Sequence, residues 1–317
     1  MSIWEHATVV ITGGTGSLGH ALSRSLLAEP IHALRILSRD ELKQSEMEKR
    51  FSDPRIRFLL GDVRDRDRLR RAFEGANVVI HAAALKRVDK GEYDPSEFVK
   101  TNIGGAVNVA EAALDAGVGR VVFVSTDKAS APLTLYGATK LTAERLLCAY
   151  NASGGGRTAF VGVRYGNVAG SRGSLIPALI EQRKTGVVTL TDPRMTRFWM
   201  TLGDAVRIVR RAATDGGPGE VLIPVLPSVR IPDLIEAVAP GVRVQTIGIR
   251  GSEKIHESLI SADEMPRAVR WKDIWCLGAP NPSPFEQVPY DSGTNKVFLG
   301  VEDIRRLLPQ ALAEAAQ

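Results

Sequence analysis

Short apolar runs alternate with longer amphipathic stretches along the first half of the chain. The apolar runs are rich in Val, Ile and Leu, as is typical of strands buried on both faces of a sheet. They span residues 8–11, 33–37, 56–60, 77–80, 121–124 and 158–164. Between them, apolar positions recur with a helical period at residues 20–28, 41–50, 67–73 and 97–116. This alternation predicts an α/β fold with a doubly wound parallel sheet over residues 1–170.

The pattern changes after residue 170, where Gly and Pro become frequent. A loop at 170–174 leads into a short helix at 175–183, and a second irregular stretch runs from 216 to about 289. We expect residues 171–317 to form mainly a smaller, discontinuous C-terminal lobe that is not an independent domain. Segments near 185–215 are expected to return to the core of the sheet domain.

Composition and charge narrow the class of ligand. The 317 residues are 24% charged and 44% hydrophobic, which is ordinary for a globular protein. The net charge is +5, but the basic residues are scattered. Because nucleic-acid binding usually requires a clustered basic patch, we expect an anionic small molecule and no nucleic acid. Cys148 and Cys276 are too few and too far apart to indicate a disulfide framework or a zinc site.

Targeting and membrane signals do not stand out in the sequence. The N-terminal residues lack the charged and apolar regions of a signal peptide, and no apolar run reaches the length of a membrane span. We therefore expect a cytoplasmic protein with no membrane insertion.

Three glycines separate the first strand from the first helix. Their Gly-x-x-Gly-x-x-Gly spacing permits a tight turn, close approach of the backbone to a pyrophosphate, and close packing of helix on strand. The diphosphate would lie at the helix N-terminus, where free N–H groups favour anions. A Rossmann fold that binds a dinucleotide is predicted, with an ordinary glycine-rich turn as the alternative. The predicted contacts in this turn are Gly13, Thr15, Gly16, Ser17, Leu18 and Gly19.

The end of the second predicted strand bears on the choice of dinucleotide. An NAD-preferring fold places an acidic residue there to bond the ribose 2′-hydroxyl. Here the strand ends in Ser38, Arg39 and Asp40. Because a guanidinium group matches phosphate in geometry and charge, Arg39 favours NADP over NAD. Asp40 is interpreted as the N-cap of the next helix.

Later strand ends supply further predicted cofactor contacts. Asp62 and Val63 follow the third strand and are placed to meet the adenine edge, although a helix-capping turn is the alternative. Ala82, Ala83 and Ala84 follow the fourth strand, where small residues let the backbone lie against the cofactor. Lys86 could reach the cofactor or an anionic substrate, and a solvated lysine is the alternative.

The fifth strand leads into the stretch with the most chemistry. Ser125, Thr126, Asp127 and Lys128 follow it directly, and a predicted helix then carries Tyr136 and Lys140. Residues four apart share one helical face. We expect the Lys140 ammonium to lower the pKa of the Tyr136 phenol, so that the phenol takes a proton from an alcohol near neutral pH. Two surface residues on a helix are the alternative interpretation.

These motifs, together with Asn102, resemble the extended short-chain dehydrogenase/reductase superfamily over nearly the whole chain. Within that superfamily, the Asp127-Lys128 pair looks like the UDP-N-acetylglucosamine 4,6-dehydratases. Further phrases resemble their C5-inverting branch: Ser38-Arg39-Asp40-Glu41, Ala83-Ala84-Leu85-Lys86-Arg87-Val88, Arg164-Tyr165-Gly166-Asn167-Val168, Arg194-Met195-Thr196-Arg197-Phe198-Trp199 and Lys254-Ile255-His256-Glu257. The resemblance implies that residues 1–170 bind NADP, with Asn102, Tyr136 and Lys140 among the contacts, and that the C-terminal lobe binds a UDP-sugar.

The resemblance also implies roles in catalysis. Tyr136 would take the proton of the sugar 4-hydroxyl while hydride passes from C4 to NADP, and Thr126 would bond the same oxygen. Lys128 would remove the C5 hydrogen, and Asp127 would protonate the departing 6-hydroxyl. Hydride would then return to C6, with C5 reprotonated from the opposite face. A surface ion pair is the alternative for Asp127 and Lys128.

The resemblance also implies contacts with the nucleotide part of the substrate. The diphosphate is assigned to Arg197 and Arg250, a ribose hydroxyl to Glu253, and the remaining candidates are Lys86, Asn167 and Arg172.

A homo-oligomer, either a dimer or a hexamer, is expected from the helices at 97–116 and 135–150 by family analogy. A UDP-sugar 4-epimerase, a net redox enzyme and a non-catalytic NADP-sensing regulator are the alternatives. The pathway served stays open among surface polysaccharide, flagellar glycan and antibiotic sugars.

Overall fold

The computed structural model describes residues 2–153, 155–171, 173–249, 253–278 and 288–316. In chain order, the strands are β1 (Thr8–Thr12), β2 (Ala33–Ser38), β3 (Ile56–Leu60), β4 (Val78–His81), β5 (Arg120–Val124), β6 (Ala159–Val163), β7 (Val187–Leu190), β8 (Thr196–Phe198), β9 (Val221–Pro224), β10 (Ser228–Arg230), β11 (Arg243–Thr246), β12 (Ser258–Ile260), β13 (Ala268–Trp271), β14 (Ile274–Leu277), β15 (Tyr290–Asp291) and β16 (Phe298–Leu299).

The helices alternate with the strands in the first half and cluster separately in the second. They are α1 (Ser17–Leu27), α2 (Glu41–Glu48), α3 (Arg66–Phe73), α4 (Val88–Gly91), α5 (Pro95–Phe98), α6 (Gly105–Asp115), α7 (Leu135–Ser153), α8 (Leu175–Arg183), α9 (Leu202–Asp215), α10 (Ile231–Val238) and α11 (Val301–Ala316). A π-helical segment, Val99–Gly104, joins α5 to α6. Within the described ranges, none of these helices combines the length and the apolar character that a membrane span requires.

A large sheet with the strand order β13-β14-β9-β6-β5-β4-β1-β2-β3 forms the centre of the molecule. The strands from β3 to β9 in this order all pair in parallel. The edge strands β14 and β13 add an antiparallel hairpin. The expected α/β, doubly wound Rossmann fold is therefore confirmed. The six strands predicted in the first half are all present, with ends shifted by no more than one residue.

The helix predicted over residues 97–116 is interrupted. The π-helical segment widens the turn around Asn102 and separates α5 from α6. A Cβ added to Gly105, the first residue of α6, would lie 2.8 Å from the Val63 side chain. The helix therefore approaches the loop after β3 closely. A π turn inserts a residue without changing the hydrophobic period much, so the sequence pattern alone reads as one helix.

The irregular composition of residues 216–289 predicts that they lie in the smaller lobe, but part of this stretch belongs to the large sheet. β9, β14 and β13 extend the large sheet, and every residue of β9 and β14 is buried. Short strands between Gly- and Pro-rich turns are hard to recognise from their period, because buried strands lack polar alternation.

A second hydrophobic cluster lies outside the large sheet. It is built by α8, α10 and α11 with residues of β7 and β10 and the two residues that flank β8, Met195 and Trp199. Two small sheets, β16-β10-β8 and β11-β7, accompany these helices. This arrangement gives the C-terminal half its own packed centre, while the assignment of the two parts to cofactor and substrate stays a prediction.

A buried ion-pair network joins the end of β6 to α7 and to the C-terminal segment. Arg164 is fully buried, and its guanidinium group donates to both Glu144 and Glu264, with distances of 3.1 Å to Glu144 Oε2 and 2.8 Å to Glu264 Oε2. It also donates to the backbone oxygen of Leu259 at 2.9 Å. Arg164 therefore ties the residues after β12 to the large sheet.

Candidate active site

The glycine turn between β1 and α1 is shaped for close approach. Gly13 has a positive φ of 68°, and a Cβ there would lie 2.8 Å from the Ala83 backbone. A Cβ on Gly19 would lie 2.1 Å from the Gly14 carbonyl oxygen. Gly16 is the N-cap residue of α1 and has no side chain to bond the first N–H groups. Residues Ser17 and Leu18 open the helix, so the turn fits a dinucleotide diphosphate.

The end of β2 meets the end of β3 beside this turn. Asp40 caps α2 and accepts from the Lys43 N–H at 3.1 Å, as the sequence predicted. The Ser38 and Thr15 hydroxyl groups bond each other at 2.9 Å. The Arg39 guanidinium, 55% exposed, lies 3.8 Å from the Asp62 carboxylate, which also pairs with Arg64. The Arg39 group therefore stands at the surface, and its contact with a 2′-phosphate stays a prediction.

The loop after β4 is held by hydrogen bonds from the Asn102 side chain. Asn102 accepts from the Leu85 N–H at 2.8 Å and donates to the Leu85 carbonyl at 3.0 Å and to Thr139 at 3.1 Å. Its side chain is buried and holds Leu85, the last residue of this loop, in place, while its predicted contact with the cofactor stays a prediction. Lys86 follows the loop with an exposed position, and its two predicted contacts stay predictions.

Thr126, Asp127 and Lys128 form one hydrogen-bonded group just past β5. The buried Asp127 carboxylate accepts from the Thr126 hydroxyl at 2.9 Å and from Lys128 Nζ at 3.0 Å, both on Oδ1. Lys128 Nζ also donates to Asn167 Oδ1 at 3.3 Å. A Cβ on Gly166 would lie 3.3 Å from Asp127 Oδ2, so the glycine after β6 leaves room for this carboxylate.

Tyr136 lies next to this group in the first turn of α7. Burial raises the pKa of Tyr136, and the Lys128 ammonium group and a hydrogen bond with Thr126 lower it only in part. Lys140, by contrast, donates to the Val124 carbonyl at 2.7 Å, and burial lowers its own pKa to about 8. The expectation that Lys140 lowers the pKa of this phenol is therefore corrected, because Lys128 is the cation that acts on it.

A second acidic side chain reaches Lys128 from the C-terminal part of the chain. Glu257 Oε1 lies 3.7 Å from Lys128 Nζ and 3.7 Å from Arg197 Nε. Burial by itself would lower the pKa of the Lys128 ammonium group, but the carboxylates of Asp127 and Glu257 outweigh it and raise that pKa above its usual range. In the sequence, Glu257 is part of the Lys254-Ile255-His256-Glu257 motif, which predicts no role for it.

The predicted substrate contacts are only partly brought together. Asn167 touches Lys128, as described above. The Arg197 guanidinium group, 16% exposed, bonds the Thr196 and Ile255 carbonyls besides approaching Glu257. Glu253 opens the described segment that leads to Glu257. Arg172 and Arg250 lie outside the described residues, so their assignments stay predictions.

The doubly wound sheet, the glycine turn and the Thr126–Tyr136–Lys140 arrangement define an extended short-chain dehydrogenase/reductase. A family model described as polysaccharide biosynthesis protein matches residues 9–278, and the chain belongs to this family. The family resemblance seen in the sequence is thus confirmed.

Two of the similar proteins carry the names of different enzymes. The chain is 46% identical over 279 residues to a protein of Campylobacter jejuni named UDP-N-acetylglucosamine 4,6-dehydratase (inverting), covering 87% of this chain and 84% of the relative. It is 41% identical over 278 residues to a protein of Rickettsia conorii named UDP-glucose 4-epimerase, covering 84% of this chain and 82% of the relative. The solved structure of Pen from Bacillus thuringiensis superposes with a TM-score of 0.92 at 37% identity, covering 98% of this chain and 99% of that one.

Proposed function

We propose that this protein is an NADP-dependent UDP-N-acetylglucosamine 4,6-dehydratase that inverts the configuration at C5. The observation that carries the proposal is the Asp127–Lys128 pair, held beside the hydroxyl groups of Thr126 and Tyr136 at the carboxyl end of β5. An acid and a base next to an alcohol-oxidising tyrosine are what elimination of water across C5 and C6 requires. The relative named an inverting dehydratase supports the same substrate.

The glycine turn and the strand ends around it would hold the cofactor. Gly13, Gly16 and the start of α1 would hold the diphosphate, and Arg39 would hold the adenosine 2′-phosphate. The chemistry that a bound nicotinamide supplies is reversible hydride transfer, from C4 of the sugar in the first step and to C6 in the last. Tyr136 Oη takes the proton of the 4-hydroxyl as a phenolate, the form that the Lys128 ammonium group and the Thr126 hydroxyl favour against burial, and the Thr126 hydroxyl bonds the same substrate oxygen.

In the structure Lys128 Nζ donates to Asp127 Oδ1, whereas elimination needs Lys128 as the base and Asp127 as the acid. The raised pKa of Lys128 favours its ammonium form, which has no lone pair for the C5 hydrogen. One proton moved from Lys128 Nζ to Asp127 Oδ1, across their 3.0 Å contact, gives a neutral amine and a carboxylic acid. The amine then removes the C5 hydrogen, and the acid protonates the leaving 6-hydroxyl.

Incubation with UDP-N-acetylglucosamine in D₂O, followed by NMR, tests this proposal. We expect the loss of one water, a 4-keto-6-deoxy sugar with the L-arabino configuration, and deuterium at C5. A product of unchanged mass would replace the proposal with the second candidate.

That second candidate is a UDP-sugar 4-epimerase, and the relative named UDP-glucose 4-epimerase favours it. Epimerisation uses the Tyr136 phenol but has no step for an acid and a base at C5 and C6. Mass spectrometry separates the two functions, because only the dehydratase releases water.

The preference for NADP rests on Arg39 and is tested by removing it. We expect Arg39→Ala to weaken NADP binding about tenfold or more, since a charged hydrogen bond contributes about 1.5–3 kcal/mol. NAD binding, measured in the same calorimetric series, serves as the matched control and should not change. Equal losses for both dinucleotides would contradict the assignment of Arg39 to the 2′-phosphate.

The substrate diphosphate is assigned to Arg197 and, outside the described residues, to Arg250. We expect Arg197→Ala to weaken UDP binding about tenfold or more, because one charged donor is lost. Arg194→Ala is the control, since that side chain is 67% exposed and pairs with Asp192. Calorimetry with UDP checks both variants. Unchanged UDP affinity in Arg197→Ala would place the diphosphate elsewhere, with Lys86 and Arg172 next in order.

A further inference from the structure

Glu257 makes an unusual pair of contacts for a buried acid. It is 5% exposed, and Oε1 faces both Lys128 Nζ and Arg197 Nε at 3.7 Å. Its other oxygen, Oε2, is buried and has no hydrogen-bond partner among the described residues. Both ion-pair distances are longer than those of charge-assisted hydrogen bonds, which are about 2.7–2.9 Å.

These contacts are poorly suited to a purely structural role. A buried carboxylate oxygen without a donor costs stability, and long ion pairs recover little of that cost. Local conflicts of this kind are expected at functional sites, where they are offset elsewhere in the fold. The position of the Glu257 carboxylate is therefore explained better by its electrostatic effect on Lys128 and Arg197 than by a contribution to stability.

The backbone around Glu257 is firmly held. The Glu257 N–H donates to Ser292 Oγ at 3.0 Å, and the Ser292 N–H donates to the Glu257 carbonyl at 2.8 Å. Lys254 Nζ donates to the Ser130 carbonyl at 2.7 Å, and Ser130 Oγ bonds Ser258 Oγ at 3.2 Å. The segment of residues 254–258 is thus fastened onto the segment that carries Asp127 and Lys128.

Charged groups approach Lys128 from each neighbouring element. Asp127 adjoins it in the chain, Tyr136 faces it from α7, and Lys254 and Glu257 come from the C-terminal segment. Arg197 of β8 shares the Glu257 oxygen with Lys128. Among the residues that the structure describes, Glu257 is thus the carboxylate that a distant segment adds beside this lysine.

We infer that Glu257 is a positioning residue for water elimination: its carboxylate holds the Lys128 side chain beside Asp127 and sets how readily Lys128 gives up its proton. This inference rests on the function proposed above for the role of Lys128. The charge environment of Lys128 is a property of the free protein, so it can also be measured without any substrate.

The sign of the effect follows from the charge that is removed. An opposite charge within about 4–6 Å favours the charged form of a group and shifts its pKa by about 1–3 units. Glu257→Gln keeps the shape of the side chain but removes that charge. The pKa of Lys128 then falls, the neutral amine appears at lower pH, and the basic limb of kcat/KM, where the Asp127–Lys128 pair loses its shared proton, moves to lower pH.

The first measurement uses the free protein. Trace acetylation with acetic anhydride, followed by mass spectrometry over a range of pH, reports the neutral fraction of Lys128, whose side chain is 24% exposed. We expect the Lys128 curve of Glu257→Gln to shift by about one pH unit or more to lower pH, which is about tenfold faster labelling. Lys140 in the same samples is the internal standard.

A matched control separates this effect from a general loss of buried charge. Glu220 is buried too, and it accepts from the Gly217 N–H at 2.7 Å in the loop before β9, at the opposite end of the parallel strands. Glu220→Gln should leave the Lys128 curve in place. Coincident curves for the wild type and Glu257→Gln, or equal shifts in both variants, would overturn the inference.

The second measurement uses catalysis. We expect Glu257→Gln to lower kcat at neutral pH more than it changes KM, because Lys128 is no longer held beside Asp127, and to move the basic limb to lower pH. Glu257→Asp is expected to restore both in part. A lower kcat with an unmoved limb would indicate a merely structural role. An enzyme that does not dehydrate UDP-N-acetylglucosamine at all would refute the proposed function, while the acetylation curves would still decide the charge effect.

Discussion

Replacing Lys128 with methionine is expected to lower the rate of water elimination about 10²–10⁴-fold, which is the contribution of a positioned general base. Methionine keeps the length of the apolar stem but has no amine to take the C5 hydrogen. Asp127 loses at the same time the donor at 3.0 Å from which it would receive a proton. Both halves of the elimination are therefore expected to fail together.

Product formation from UDP-N-acetylglucosamine, followed by NMR, checks this expectation. Lys184→Met is the control, because Lys184 is an exposed residue of the surface that pairs with Glu181. Undiminished formation of the 4-keto-6-deoxy sugar by Lys128→Met would remove Lys128 from the mechanism. Washout of deuterium from a C5-labelled substrate would identify the step that is blocked.

Replacing Arg164 with methionine is expected to lower the free energy of unfolding by about 3–5 kcal/mol, because removing one partner of a buried ion pair leaves an uncompensated charge. In this case two carboxylates lose their partner, Glu144 with a 1% exposed side chain and Glu264 with a 7% exposed side chain. The Leu259 carbonyl also loses its donor.

Urea denaturation measures this change, with Arg66→Met as the matched control. Arg66 also pairs with two acids, Glu111 and Asp115, but its side chain is 47% exposed. Exposed ion pairs contribute about 0–1 kcal/mol, so the control is expected to stay close to the wild type. If the two variants lost equal stability, the buried network would not be what fastens the C-terminal segment to the large sheet.

The local sequence pattern was sufficient to predict the first half of the fold. Strand period, helix caps and glycine spacing act over a few residues, so the parallel strands, the Asp40 cap and the turn at Gly13 could be predicted from the sequence. Asp127 and Lys128 are likewise neighbours in the sequence itself. These features depend on neighbours in sequence, which is why they needed no coordinates.

Packing between distant segments decided the rest. Asn102 faces inward because a π turn and Leu85 meet there, and β9 and β14 join the large sheet although turns surround them in sequence. No local signal distinguishes these outcomes from a plain helix or an irregular lobe. They follow from which buried surfaces and backbone groups find partners when the chain folds.

The chemistry of the site divides in the same way. The sequence by itself determined that a tyrosine, a lysine, an acid and a hydroxyl group follow β5. Only the tertiary structure brought Glu257 to Lys128, turned Lys140 towards the Val124 carbonyl and buried Tyr136. Charge state depends on burial and on charges within a few ångströms, whatever their separation along the chain. The protonation of this pair is therefore a property of the fold, although the residues themselves are adjacent in the sequence.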